Sequence, residues 1–161
     1  MNGKAHRQAS IALSIPTGIT IAYLSSNFYT GILSGLGCAA GIFLTPDLDQ
    51  EGISRSEWDL VKHLGPFGFL WMALWWPYAK VVKHRSSVSH APIISTIIRL
   101  CYLLVFPTTL GIILGYDVFD ILSDREFWTV SLYLFAGLCV SDCAHWVMDK
   151  LPRRLKHNGW S

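Results

Sequence analysis

Residues 8–46 form a run of thirty-nine positions without a single charged side chain. Soluble domains carry roughly a quarter of their residues charged. A run this long and this free of charge is instead sized for hydrocarbon, where about 20 apolar residues cross the bilayer core as a helix. Two spans of roughly 18 residues each fill it. The polar break Ser25-Ser26-Asn27 supplies the turn between them. Gly31, Gly35 and Gly37, with Ala39, Ala40 and Gly41, put small residues on the second span. Small residues let membrane helices approach closely. The prediction is a helical hairpin.

The rest of the chain continues the pattern. It has 161 residues, 52% of them hydrophobic and only 15% charged, and seven Trp that favour a membrane interface. That length fits one domain, so 1–161 is expected to be a single membrane-embedded domain. The net charge of +2 is too small to argue for nucleic acid. Residues 91–116 are apolar apart from Arg99, and residues 127–148 apart from Asp142 and His145. Both runs are long enough to span. Ser86 or Ser89 is placed as the cap of the helix in the first of them, with Pro92 in an early helical position. No cleavable signal peptide is evident after Lys4 and Arg7, so the first apolar stretch reads as a retained span. Cys38, Cys101, Cys139 and Cys143 form no CxxC pair and read as small buried hydrophobes.

Residues 63–79 are aromatic but short, and contain Gly65, Pro66, Gly68 and Pro77. The distribution of Lys and Arg decides whether they span. If they do not, four helices cross, and Lys4, Arg7, Arg55, Lys62, Lys80, Lys83, Arg85, Lys150, Arg153, Arg154 and Lys156 share one side. If they do, the charges divide almost evenly. The expected fold is therefore an all-α integral membrane bundle. It has about four transmembrane helices, a short interfacial or re-entrant aromatic segment, and both termini cytoplasmic. The membrane would be an inner (cytoplasmic) or thylakoid membrane, with its lipids as partners.

This topology gathers the ionisable residues that remain. His6 precedes the first span, and Asp47 and Asp49 follow the second within Thr45-Pro46-Asp47-Leu48-Asp49. His84 and His90 precede the third, and Asp142, His145 and Asp149 lie toward the end of the fourth. All fall on one membrane face. Ionisable groups near lipid cost free energy and mark function. Asp142, His145 and Asp149, at i, i+3 and i+7, share one helix face. Carboxylate and imidazole ligands suit a divalent ion such as Zn, Mn or Mg. His6, Asp47, His84, His90, Asp142, His145 and Asp149 are the candidate ligands, enough for one or two ions. Asp49 is the candidate general base, and Arg85 the group that steadies negative charge. Arg99, about two turns inside its span, is expected to pair with Asp142.

In order along the chain, His6, the Thr45-Pro46-Asp47-Leu48-Asp49 segment, Lys83-His84-Arg85-Ser86-Ser87-Val88-Ser89-His90 and Asp142-Cys143-Ala144-His145 resemble a family of short metal-binding membrane proteins common in cyanobacteria. Trp75-Trp76-Pro77-Tyr78 looks like that family too. The order is more distantly similar to the LexA-regulated inner-membrane metal-dependent hydrolases. Here Ser86 stands where that group has Gly, and His90 lies one position later. The resemblance implies divalent-metal binding. Its wider form implies hydrolysis of a phosphoester or lipid-linked substrate at the cytoplasmic face. The contrasting expectation is a non-enzymatic metal protein, with a structural site or a role in transport or assembly.

Overall fold

The protein is described by a computed structural model, which covers residues 3–49, 55–82 and 91–157. These contain seven α-helices, one short 3-10 helix and no strand. The order is α1 (Gly3–Ser25), α2 (Phe28–Ala40), the 3-10 helix (Pro46–Asp49), α3 (Arg55–Leu64), α4 (Pro66–Val81), α5 (Pro92–Ile113), α6 (Val118–Ser123) and α7 (Arg125–His157).

The expected hairpin forms where the polar break placed it. Ser26 takes a positive φ of 51°, and Asn27 caps α2 by accepting from the Tyr29 N–H at 2.9 Å. The return helix differs from expectation. It stops at Ala40, where the backbone tightens into a run of i→i−3 turn hydrogen bonds at 41–43 ahead of Pro46. At 13 residues α2 is about 20 Å long, short of the ~30 Å hydrocarbon thickness. The helix after His90 opens on Pro92 as expected, with Ala91 at the cap position and no capping side chain among the described residues. Ser86 and Ser89 lie outside the described residues.

α1, α2 and α7 pack as the central group. Here the small residues have their use. A Cβ on Gly37 would run into the Leu134 carbonyl, one on Gly137 into the Ser34 carbonyl, and one on Gly31 into Ala22 and the Gly18 carbonyl. Backbone therefore meets backbone on both sides of α2. The Cys38 thiol, 0% exposed, reaches the Ser10 carbonyl at 3.6 Å and ties α2 to α1. α1 and α7 then meet directly. Ser10 Oγ lies 2.7 Å from Ser141 Oγ, and one turn along the His6 ring faces the His145 ring. One index rises by four as the other falls by four, so the two helices run antiparallel. α5 packs on α7, while α3 and α4 form a hairpin broken at Gly65, φ 55°. The aromatic segment 63–79 thus belongs to two helices. The longer, α4, has 16 residues and packs Trp75 and Tyr78 on Leu48 of the 3-10 helix.

Polarity is distributed inside out. Among the described residues six hydrophobic side chains are buried against twelve polar or charged ones. Large apolar side chains such as Ile93, Leu104, Val105, Leu110, Ile113 and Leu132 point outward. Two helical stretches are long and apolar enough to cross a membrane, Pro92–Ile113 and Arg125–Lys150. α1 is long enough but less apolar, and α2 is apolar but short. The cysteines depart from expectation for the same reason. Only Cys38 is fully buried, whereas Cys101 and Cys143 lie on the outward apolar faces of α5 and α7. All four are free thiols.

The close backbone approach makes a clear prediction. Gly137→Val forces a branched side chain into the Ser34 carbonyl and is expected to cost at least about 1–3 kcal/mol, the range for overpacking. Gly111→Ala, which meets only Val118 Cγ2 at 3.3 Å, is the control and is expected to be near neutral. Thermal unfolding followed by circular dichroism distinguishes the two.

Candidate metal centre

The α1–α7 register brings two histidines from opposite ends of the chain face to face. The His6 and His145 rings stack with centroids 3.8 Å apart and planes 15° from parallel. Both side chains are buried. Asp149, one turn beyond His145 on α7, reaches both. Its Oδ1 lies 3.3 Å from His6 Nε2 and its Oδ2 3.7 Å from His145 Nε2. The i, i+4 spacing on α7 places that carboxylate on the histidine face. Asp47 enters from the 3-10 helix, where Pro46 opens the turn, and its Oδ1 lies 3.6 Å from His145 Nε2. Its backbone N–H is held by the Thr45 hydroxyl at 3.3 Å. Three elements separated in sequence therefore converge on one point.

One ligand atom from each of His6, His145 and Asp149 lies within 4.8 Å of the others. That spacing suits donors around a single ion. The electrostatics suit one as well. Burial lowers the pKa of His6, and the neighbouring His145 lowers it further, while Asp149 and Asp47 oppose the shift. The imidazole is thus biased toward its neutral form, the form that ligates metal. His6 Nδ1 is buried with no hydrogen-bond partner among the described residues. A buried ring nitrogen without a partner is costly unless something fills that role. The donor set is nitrogen and carboxylate oxygen, which fits a borderline divalent ion.

A family model described as "Uncharacterized metal-binding protein (DUF2227)" matches residues 1–158. The chain belongs to this family. No curated protein and no solved structure matches it. Membership covers nearly the whole chain and agrees with a candidate site built from both ends of it.

Of the residues expected from sequence, the structure brings together His6, Asp47, His145 and Asp149. Asp142 turns elsewhere. It is 1% exposed and accepts from Arg99 Nη2 and the Thr96 hydroxyl, the ion pair anticipated for Arg99. Its place one turn before His145 puts it on the α5 side of α7. His84, Arg85 and His90 lie outside the described residues, as does the side chain of Asp49. Sequence reasoning missed Ser10, Ser141 and Thr96. A signal for the first two exists, because 6 and 10 pair with 145 and 141 in one antiparallel register, but it is readable only once α1 and α7 are known to touch.

Removing His6 or His145 by substitution with Ala is expected to weaken divalent-metal binding by more than the about 10–100-fold that loss of an outer hydrogen-bond partner costs. Elemental analysis of the purified variants measures this. The pH dependence has a definite sign. The pKa of His6 is lowered from 6.5, so its neutral form persists to a pH below that ordinary value, and affinity falls once the pH drops through the lowered pKa and protons compete for the ring. Metal titrations between neutral and acid pH give the profile.

Proposed function

We propose that the protein is a membrane-embedded divalent-metal protein that holds its ion with His6, His145 and Asp149, and with Asp47 completing or gating the site. The observation that carries this reading is the convergence of the three donor atoms within 4.8 Å from helices at opposite ends of a metal-binding family chain. Two nitrogen donors favour Zn or Mn over Mg, which prefers oxygen and retains its waters. The membrane part rests on the inside-out polarity and on the two apolar helices Pro92–Ile113 and Arg125–Lys150. Outward Ile, Leu and Val on these helices would meet lipid, and the site would sit at the cytoplasmic face, with both termini.

The finer form of the reading is a metal-dependent hydrolase acting on a phosphoester or lipid-linked substrate. Three protein donors leave a coordination position for water, whose pKa the ion lowers. The carboxylates are less buried than the histidines, with Asp47 24% and Asp149 15% exposed, so the opening lies on their side. Asp49 as general base and Arg85 as the clamp on developing negative charge complete this scheme. The second reading is a non-enzymatic structural site, in which Asp47 is the fourth ligand of a closed shell. The burial of both histidines favours it.

Two measurements separate these readings. Purified protein is expected to carry bound Zn or Mn at about one ion per chain, the stoichiometry of a single site. A metal-free protein that takes up no divalent ion would sink both. A screen of generic phosphoesters with added Mn or Zn then decides between them. Metal-dependent turnover lost in Asp47→Ala or His145→Ala supports the hydrolase, and none in metal-loaded protein leaves the structural site.

A further inference from the structure

Away from the candidate metal centre, an ion pair is buried between α5 and α7. Arg99 and Asp142 are each 1% exposed, and Thr96 is 0% exposed. Arg99 Nη2 and the Thr96 hydroxyl both donate to Asp142 Oδ2. A buried ion pair is weak support for stability, because desolvation offsets most of the attraction. What such a pair supplies is a fixed geometry between the two elements that carry it.

The geometry here concerns the metal ligands on α7. Ser141 contacts Ser10 on α1 at 2.7 Å, while its neighbour Asp142 contacts α5. Successive residues point about 100° apart around a helix, so α7 is held at two azimuths about 100° apart. Measured from Ser141 in the same direction, His145 lies at about 40° and Asp149 at about 80°. Both ligands fall between the two anchors, one and two turns along. A rotation of α7 that carried them off His6 would break one anchor or the other.

We propose that Thr96, Arg99 and Asp142 are positioning residues for the metal centre: through Asp142, α5 sets the rotation of α7 that turns His145 and Asp149 onto His6. This rests on the reading that those three side chains hold the ion. It makes Asp142 an anchor and not a ligand.

Cobalt(II) titration of the purified full chain in detergent tests it, read as the dissociation constant and as the visible ligand-field spectrum at saturating cobalt. Asp142→Ala is expected to weaken binding by about 10–100-fold, the range for an outer partner of a metal ligand, and to shift the bands. The double variant Arg99→Gln with Asp142→Asn keeps a hydrogen-bonded pair without its charges and is expected to restore both affinity and spectrum. If Asp142 were a ligand, the double variant would bind as poorly as Asp142→Ala, because a neutral amide does not replace a carboxylate; that result overturns the proposal. Thr96→Val keeps the side-chain shape and serves if Asp142→Ala fails to fold by circular dichroism. Weaker binding with shifted bands supports the proposal, and an unchanged affinity and spectrum overturns it. Wild-type protein that binds no cobalt would overturn the metal-site reading itself, whereas wild-type binding with unaffected variants overturns only the positioning role.

Discussion

The contact of α2 with its two neighbours sets everything else. At Gly31 and Gly37 of α2, and at Gly18 and Gly137 facing it, the helices touch through backbone, with no room for a methyl group. That brings α1 and α7 so near each other that two serine side chains fill the space between them, Oγ to Oγ at 2.7 Å. One turn along, the same separation is bridged by two flat imidazole rings stacked at 3.8 Å. Larger residues at the glycine or serine positions would move the helices apart and the rings with them. The candidate metal centre is therefore a consequence of helix packing, not of a local motif.

Close packing also explains why polar groups can occupy this interior. Hydrophobic burial gives membrane helices no reason to associate, so small residues and interhelical hydrogen bonds take over. On the membrane reading, the buried Ser10, Cys38, Thr96 and Ser141, each bonded to a neighbouring helix, would fill that role. The histidines need more. Burial and the neighbouring His145 ring lower the pKa of His6, and the carboxylates of Asp149 and Asp47 stand where a cation is wanted. On the proposed reading a divalent ion at this point would supply that positive charge. Because the candidate donors come from α1, the 3-10 helix and α7, an ion bound there would link elements far apart in the chain and so couple metal affinity to folding.

Much of this was legible in the sequence, and the failures are instructive. The charge-free run announced a hairpin, Ser25-Ser26-Asn27 its turn, the glycines its close face and Pro92 the start of α5. These are local signals. The spacing of His145 and Asp149 announced a shared face, and they do share one. The same spacing also nominated Asp142, which sits on that face but close to its edge. A pattern on one helix cannot say which neighbour each edge meets, and α5 met that edge first. His6 carried little signal because a single histidine has no periodicity; its weight comes wholly from the α1–α7 register. The length of α2 was misjudged because an apolar run states where charges are absent and not where the backbone turns.

The position of the centre along α7 completes the argument. The apolar stretch Arg125–Lys150 ends at the site, with Asp149 beside its last residue, and Lys150 folds its ammonium back over the Trp146 ring at 3.9 Å. A Trp with a neighbouring cation is the usual furniture of a membrane interface. On the membrane reading, then, the histidines lie at the boundary, deep enough to be shielded by helices yet within reach of ions from water. Asp142 and Arg99 lie farther in, where an unpaired charge would be least tolerable, and there they satisfy each other. The two sets of ionisable residues on α7 are thereby divided by depth. On that reading the outer set sits near water, where an ion can reach it, and the inner set is neutralised within the protein and is left with geometry as its contribution.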